Sequence, residues 1–335
     1  MIDIDGSYME GGGQIIRTAI GLSAVTQKPC RIYNIRKGRP EPGLKAQHLA
    51  GIRAVSRVCS GKLKGYGIGS EKVEFRPGSI DGGNYNINVG TAGSVALVLQ
   101  ALLIPSIRAK KKTFMDITGG THVIRSPTTG YFRHVFCEFM KLVGIEITSE
   151  TLRYGYYPKG GGKIRVVVEP AGNIKPLNIT EREGPPETEA WSNASSFLRE
   201  REVAERQNKA ASETVSIDKN SVKYVDSLSP GSSITLAARC GNCFLGSGSV
   251  GRRGKPAEVV GREAARALKK SMDSGACFDS HMADQILPYL ALADGNSKIN
   301  VSEITNHCKT NMWVIEKFLP VRFSVENNVI SCLKS

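Results

Sequence analysis

Apolar residues in this chain recur in short blocks that follow one order: a β-branched or apolar run, a glycine-rich turn, and then a stretch with helical spacing. Glycine-rich turns at 11–13, 88–94 and 117–121 each precede such a stretch. Apolar positions at helical spacing also predict a helix over 44–59. Repeated strand, turn and helix units predict an α/β or α+β protein built from duplicated modules.

Short apolar runs beside these helices predict β-strands, although the patterns do not determine how many strands each sheet contains. The predicted strands are 29–35, 72–75, 85–89, 114–118 and 163–168.

The composition changes near Thr180, where the polar, proline-containing segment 181–187 begins. The pattern after it differs from the earlier blocks, and the earlier pattern resumes at Phe278. Within this region we expect a charged helix over 191–211, strands over 214–217, 233–238 and 243–246, and a helix over 255–274. The sequence therefore predicts a large domain, 1–180 plus 275–335, that carries the active site, and a small inserted α/β domain, 181–274.

The charge of the chain favours an anionic partner. Lys and Arg number 45 against 31 Asp and Glu, so the net charge is 45 − 31 = +14. Such a surplus attracts phosphates, although it also serves solubility. With 40% hydrophobic and 23% charged residues, the composition excludes wholesale disorder.

The location of the protein is expected to be cytoplasmic. The apolar stretch 95–105 is too short to cross a membrane, and the acidic N-terminus does not resemble a signal peptide. The eight cysteines are scattered and are expected to be buried thiols. Cys240 and Cys243 form a single CxxC pair, which lacks the second pair that a zinc ribbon needs. A redox role for this pair is a minor alternative.

Two N-terminal motifs suggest phosphate binding. The motif from Glu10 to Arg17 contains three glycines whose backbone N–H groups are able to surround an anion, with Arg17 as a charged clamp. The alternative is a tight turn. The second motif, 36–48, places four cations in ten residues before a helix. The alternative is an exposed basic loop, which we prefer for Lys37 and Lys45.

Two C-terminal segments carry further candidate chemistry. Asp284 and Gln285 are expected to open an otherwise apolar helix, as caps or as site residues. His307 stands in a polar turn before a helix, and a helix N-terminus tends to keep an imidazole neutral and hence nucleophilic. We expect His48, His122 and His134 to be structural.

Taken together, these segments resemble the RNA 3′-terminal phosphate cyclase family over nearly the whole chain and in the same order. The motifs that carry the resemblance are 5–7 with 10–17, 36–39 with 42–48, 89–100, 119–121, 155–162, 283–286, 307–311 and 318–323. The resemblance implies three repeated units, each of two helices on a four-stranded sheet, with a small α/β domain inserted in the third.

The resemblance also implies a reaction. Family enzymes use ATP to convert an RNA 3′-phosphate end to a 2′,3′-cyclic phosphate. The matching histidine, His307, is expected to attack the α-phosphate of ATP and form a histidine–AMP adduct. AMP then moves to the RNA 3′-phosphate, and the neighbouring 2′-OH displaces it.

The resemblance assigns roles to the other motif residues as well. Arg17 is expected to assist catalysis, and Glu10 and Asp284 to bind Mg²⁺ or Mn²⁺. The residues that match the phosphate and RNA-end site are Arg36, Arg39 and Gln47. Those that match the ATP site are Gln100, Pro127, His281, Met282, Ala283, Asp284 and Gln285, with Pro127 and His281 on the two faces of the adenine.

Some positions depart from the family pattern. His122 stands where family members usually have an acidic residue, and 123–126 lacks their usual proline. Tyr154 replaces a basic residue, and His281 stands where an aromatic residue is common. These departures concern the adenosine pocket rather than the histidine chemistry.

Two alternatives remain at this stage. One is a non-catalytic RNA- or ribosome-assembly interaction protein of the same family, which lacks the nucleophilic histidine. The other is an enolpyruvyl transferase, which shares the repeat architecture but not these motifs. The presence of His307, Glu10 and Arg17 favours the enzyme, with ATP and RNA carrying a 3′-phosphate as partners and no membrane partner. The sequence leaves a homo-oligomer open.

Overall fold

The computed structural model describes residues 1–335. The first unit consists of four strands and two helices in the order β-α-β-α-β-β. Its elements are β1 Ile2–Asp5, α1 Gly13–Thr26, β2 Cys30–Tyr33, α2 Ala46–Val58, β3 Lys62–Lys64 and β4 Val73–Arg76. The sheet order is β1-β2-β4-β3, with β1 and β2 parallel and the other two pairs antiparallel.

The second unit repeats this order and the same sheet pairing, β5-β6-β8-β7. Its second helix is broken into α4, a π-helical segment Phe132–Phe136 and α5. The remaining bounds are β5 Gly83–Asn88, α3 Val95–Ser106, β6 Thr113–Gly119, α4 Thr129–Tyr131, α5 Cys137–Leu142, β7 Ile147–Arg153 and β8 Gly162–Val168.

The third unit has the same sheet pairing again, β9-β14-β16-β15, but its first strand and first helix are far apart in the sequence. Its elements are β9 Asn178–Ile179, α8 Ser280–Leu292, β14 Ser297–Asn300, α9 Asn306–Phe318, β15 Val321–Glu326 and β16 Val329–Lys334. The chain between β9 and α8 forms a fourth sheet with two helices. We call it the inserted unit.

The inserted unit has the sheet order β11-β10-β12-β13 and a small core of its own, in which Ile234, Leu236 and Leu245 pack against Val260 and Leu268. Its elements are β10 Glu187–Ser195, a 3-10 helix Ser196–Arg201, α6 Val203–Ser212, β11 Lys219–Val225, β12 Ser232–Cys240, β13 Cys243–Val250 and α7 Ala257–Asp273. The predicted fold class, with three repeats and one insertion, is confirmed. The division into two domains stays a prediction.

Two element predictions in the inserted unit are wrong. Residues 191–195 lie in β10 rather than in a helix, because β10 is an inner strand paired on both edges and its side chains 192–195 are buried. Residues 214–217 form no strand, and the strand that follows, β11, begins at Lys219. Tertiary pairing overrides local pattern here, as it commonly does in sheets.

None of the helices combines the length and the apolar character that crossing a lipid bilayer requires. All eight cysteines are buried free thiols, as expected from their scattered positions.

Candidate active site

A cavity of about 950 Å³ lies where helices of all three repeat units begin. The first turns of α1, α2, α3, α8 and α9 contribute to its wall, together with the residues that lead into α4. The N-terminus of a helix carries partial positive charge and unpaired N–H groups. Six such ends around one cavity favour an anionic ligand, above all one with phosphates.

Most of the residues predicted for the site line this cavity. They are Glu10, Arg17, Arg36, Arg39, Gln47, Gln100, Pro127, His281, Asp284, Gln285 and His307. Met282 and Ala283 do not line it, because both side chains are fully buried in the core of the repeat units.

His307 lies in the first turn of α9, not in a turn before the helix as the sequence pattern suggested. Thr305 caps this helix, with its hydroxyl accepting a hydrogen bond from the Cys308 N–H at 3.2 Å. The imidazole Nδ1 lies 2.7 Å from Oε1 of Gln14, and about half of the side chain is exposed. Burial, with the nearby charge of Arg17, lowers the pKa of His307 and favours the neutral ring.

The tautomer of His307 follows from the contacts of Gln14. The amide Nε2 of Gln14 donates to Oδ2 of Asp284 at 2.8 Å. An ionised carboxylate only accepts hydrogen bonds, so the amide oxygen of Gln14 must face His307. That oxygen in turn requires a proton on Nδ1, which leaves Nε2 with a free lone pair.

Asp284 lies in the second turn of α8, because the helix begins earlier than expected, at Ser280 with Asp279 as its cap. Burial raises the pKa of Asp284 to about 6. The backbone carbonyl of Asp284 also accepts a hydrogen bond from Asn311 of α9 at 2.7 Å, which fixes α8 against α9.

Arg17 projects from α1 into the same cavity. Its Nε donates to Oε1 of Gln100 at 3.0 Å, and Nε2 of Gln100 donates to Oε1 of Gln285 at 3.2 Å. Burial lowers the pKa of Arg17 to about 10, so the side chain stays charged at neutral pH. One chain of contacts therefore joins the first helices of all three units.

Glu10 precedes α1 and pairs through Oε1 with the guanidinium of Arg39. Its other oxygen, Oε2, is buried without a hydrogen-bond partner and lies 3.8 Å from Nδ1 of His307. An unpaired carboxylate oxygen in a phosphate-favouring cavity fits a divalent cation. No three acidic, histidine or cysteine side chains cluster tightly enough to hold a metal alone, so phosphate oxygens would have to complete the ligand set.

The loop before α2 and the first turn of α2 form another side of the cavity. Arg36 donates to the carbonyls of Glu41 and Gly43 at 2.7 and 2.8 Å. Gln47 accepts a hydrogen bond from the Ser94 N–H at 3.0 Å and so holds the turn before α3.

Gln14 and His48 are among the cavity residues that were missed as site candidates. Gln14 lies within a quoted motif, but only the folded chain shows that it touches His307. His48 was expected to be structural, yet it lines the cavity and is buried, and burial with the charges of Arg17 and Arg36 lowers its pKa to about 3. Its Nδ1 accepts from the Lys45 N–H at 3.1 Å, so its Nε2 carries a proton beside Gly13. A Cβ at Gly13 would collide with the ring, which explains the glycine at that position.

Pro127 and His281 both line the cavity, as their predicted role at the adenine requires. Two of the positions that depart from the family pattern lie elsewhere. His122 is buried and stacks on Tyr154 with ring centroids 5.0 Å apart, and neither side chain lines the cavity.

Comparison with known proteins matches residues 8–325 to the family model described as RNA 3′-terminal phosphate cyclase. The chain is 44% identical over 338 residues to the RNA 3′-terminal phosphate cyclase of Methanopyrus kandleri, covering 97% of this chain and 95% of that one. The protein of the same name from Pyrococcus abyssi is 44% identical, with 98% and 96% covered. That from Nitrosospira multiformis is 40% identical, with 97% and 93% covered.

Among solved structures, the enolpyruvyl transferase NikO from Streptomyces tendae superposes with a TM-score of 0.43 at 9% identity. The superposition covers 99% of this chain and 48% of that one, and it is too weak to carry an argument.

Proposed function

This chain belongs to the RNA 3′-terminal phosphate cyclase family, and we propose that it forms 2′,3′-cyclic phosphate ends on RNA through an adenylated His307. The observation that carries the mechanism is the contact between Nδ1 of His307 and Gln14, 2.7 Å long, at the edge of a cavity surrounded by helix N-termini.

In the first step, the lone pair on Nε2 of His307 attacks the α-phosphorus of ATP. A P–N bond forms, the bond from the α-phosphorus to the bridging oxygen breaks, and pyrophosphate leaves. The neutral ring supplies the electron pair, so the lowered pKa of His307 keeps more of the enzyme reactive near neutral pH.

Charge on the triphosphate is the main obstacle to this attack. Arg17 and Arg39 line the cavity and supply positive charge where pyrophosphate departs. Glu10 and Asp284 would hold Mg²⁺ or Mn²⁺, which would supply further neutralising charge.

In the second step, an oxygen of the RNA 3′-phosphate attacks the α-phosphorus, and the P–N bond breaks with its electrons returning to Nε2. Arg36 and Gln47 are assigned to the terminal phosphate. A phosphate monoester is a poor electrophile, and adenylation gives it AMP as a leaving group. The 2′-hydroxyl then attacks the terminal phosphorus and loses its proton to water, the P–O bond to AMP breaks and AMP leaves, and proximity favours ring closure.

A direct test is label transfer from α-³²P-ATP, with Mg²⁺ or Mn²⁺, to the wild type and to His307→Ala. We expect acid-labile label on the wild type only, and release of that label as AMP when RNA with a 3′-phosphate is added. The loss of label in His307→Ala should be at least about 1,000-fold, as for removal of other nucleophiles. A circular dichroism spectrum and melting temperature equal to those of the wild type would show that the variant folds.

Normal labelling of His307→Ala would overturn the role of this residue. No label on folded wild type with either metal would favour the alternative, a non-catalytic RNA- or ribosome-assembly interaction protein. Cytoplasmic location and a homo-oligomer stay predictions.

A further inference from the structure

The cations that line the cavity differ in whether their side chains already have partners. Five of them make side-chain hydrogen bonds or ion pairs: Arg17, Arg36, Arg39, Lys45 and Lys255. Arg125 and Arg252 also line the cavity, are exposed, and make no side-chain hydrogen bond or ion pair. These two are therefore the guanidinium groups of the cavity that no side-chain contact within the protein occupies.

Arg125 and Arg252 come from different units of the fold. Arg125 lies in the loop between β6 and α4, and Arg252 lies in the loop between β13 and α7 of the inserted unit. A hydrogen bond of Thr128 joins the two regions: its hydroxyl lies 2.9 Å from that of Thr235.

Two backbone hydrogen bonds fix the loop that contains Arg252. The N–H of Gly251 donates to the carbonyl of Ser232 at 2.8 Å, and the N–H of Lys255 donates to the carbonyl of Arg252 at 2.9 Å. Next to Arg125, the side chain of Ile124 is 54% exposed and also lines the cavity. An apolar side chain beside a free guanidinium suits a sugar or base next to a phosphate.

The cavity is large for a pocket that holds one small ligand. Pockets for single small ligands occupy about 300–1,000 Å³, and this cavity, at about 950 Å³, lies at the upper end. The residues assigned to ATP and to the terminal phosphate lie in α1, α2, α3, α8 and α9 and in the loops before α1, α2 and α4, the last of which contributes Pro127. They leave Arg125 and Arg252 without a role.

We propose that Arg125 and Arg252 bind the phosphodiester backbone of the RNA strand immediately before its 3′ end. The inserted unit would thus supply part of the RNA-binding surface of an active site built by the repeat units. This inference rests on the proposed function, because it takes RNA as the substrate.

The test measures binding of a 5′-fluorescent, 3′-phosphorylated RNA octamer by anisotropy, without ATP, at several salt concentrations. For the double variant Arg125→Gln/Arg252→Gln we expect the Kd to rise about 5- to 20-fold. Each lost phosphate contact should also reduce the slope of log K against log salt by about 0.7, the value for single strands.

A nucleoside 3′-phosphate has a terminal phosphate but no phosphodiester, so it separates the two sites. As a competitor against the octamer, it should show an inhibition constant that rises less than two-fold in the double variant. Arg253→Gln is the matched control, because Arg253 is adjacent and exposed but does not line the cavity. Its octamer Kd should change less than two-fold.

Three results would overturn the proposal. One is an unchanged octamer Kd in the double variant. Another is an equal effect of Arg253→Gln, which would indicate general charge. The third is a matching loss of His307 labelling by ATP, which would assign the two arginines to ATP. Because octamer binding does not require His307, labelling of the wild type reports failure of the proposed function separately.

Discussion

The repeat units and the inserted unit share a strand pairing scheme but differ in what their helices do. Each sheet has one parallel and two antiparallel pairs. In the repeats, the first turns of the helices meet at the cavity. In the inserted unit, α6 and α7 pack against each other and against their own sheet, and only the end of β13, the loop after it and Glu263 of α7 reach the cavity. The convergence of helix ends, not the type of sheet, therefore determines where the chemistry lies.

The two regions differ electrostatically as well. Burial shifts the pKa values of Asp284 and His48 to about 6 and about 3 in the repeats. Around α6 and α7, the ion pair of Arg206 with Glu258 is substantially exposed. Burial also lowers the pKa of His122, outside the cavity, to about 3, so the meeting of several shifted groups in one cavity, rather than a shift by itself, indicates where the reaction lies.

The largest expected effect on stability is at the contact between the two regions. Asp279 accepts hydrogen bonds from the Tyr131 hydroxyl at 2.9 Å, the Gly246 N–H at 2.8 Å and the His281 N–H at 2.9 Å. Asp279→Ala removes the cap of α8 and leaves buried donors unpaired, so the free energy of unfolding should fall by about 3 kcal/mol. Urea denaturation measures this.

Tyr131→Phe is the control, because it removes only one donor from the same carboxylate. It should cost about 1 kcal/mol. If Asp279→Ala costs no more than this control, Asp279 does not join the inserted unit to the repeats.

The next largest effect is expected in the repeat units, on the rate of His307 labelling. Gln14→Leu removes the acceptor that holds the proton on Nδ1 of His307, and the rate of His307 labelling should fall about 10- to 100-fold, as for loss of orienting partners of other functional histidines. Gln27→Leu, at the other end of α1, should leave the rate within two-fold. Equal rates for both variants would contradict the orienting role of Gln14.

A smaller effect is expected on the pH dependence of His307 labelling. Burial, followed by the charges of Arg17 and Arg39, lowers the pKa of His307 below its usual 6.5. Because the neutral ring is the nucleophile, labelling should fall as pH drops through that pKa. Arg39→Gln removes one of these charges and frees Glu10, so the pKa should rise, by less than one unit. Titration of the His307 ring by NMR in metal-free protein measures the shift, and a fall in pKa would contradict this account.

The smallest effect is expected in the inserted unit. Cys240 and Cys243 are buried thiols paired across the β12–β13 turn, and neither lines the cavity. In Cys240→Ala/Cys243→Ala the labelling rate should stay within two-fold of the wild type, with and without dithiothreitol. If the labelling rate of the wild type, but not of the double variant, depended on dithiothreitol, the two cysteines would have a redox role. The inserted unit would then take part in the reaction, contrary to the contrast drawn above.

The sequence by itself was sufficient for the repeated fold class, most element positions in the repeats, and His307 as the candidate nucleophile. Glycine-rich turns and helical spacing are local signals, and they survive because each helix with the turn before it forms from contiguous chain, even in the third unit, which the inserted unit interrupts. The failure at 191–195 lies where pairing with two neighbouring strands outweighs local pattern.

Only the tertiary structure decided which side chains meet. Gln14 and His307 are separated by 293 positions, and no spacing rule relates them. They touch because α1 packs against α9, which in turn positions Gln14 beside Asp284 of α8. That the side chains of Arg125 and Arg252 have no partners is likewise visible only in the folded chain. Hydrogen bonds extend over about 3 Å, so they depend on packing between helices rather than on position along the chain.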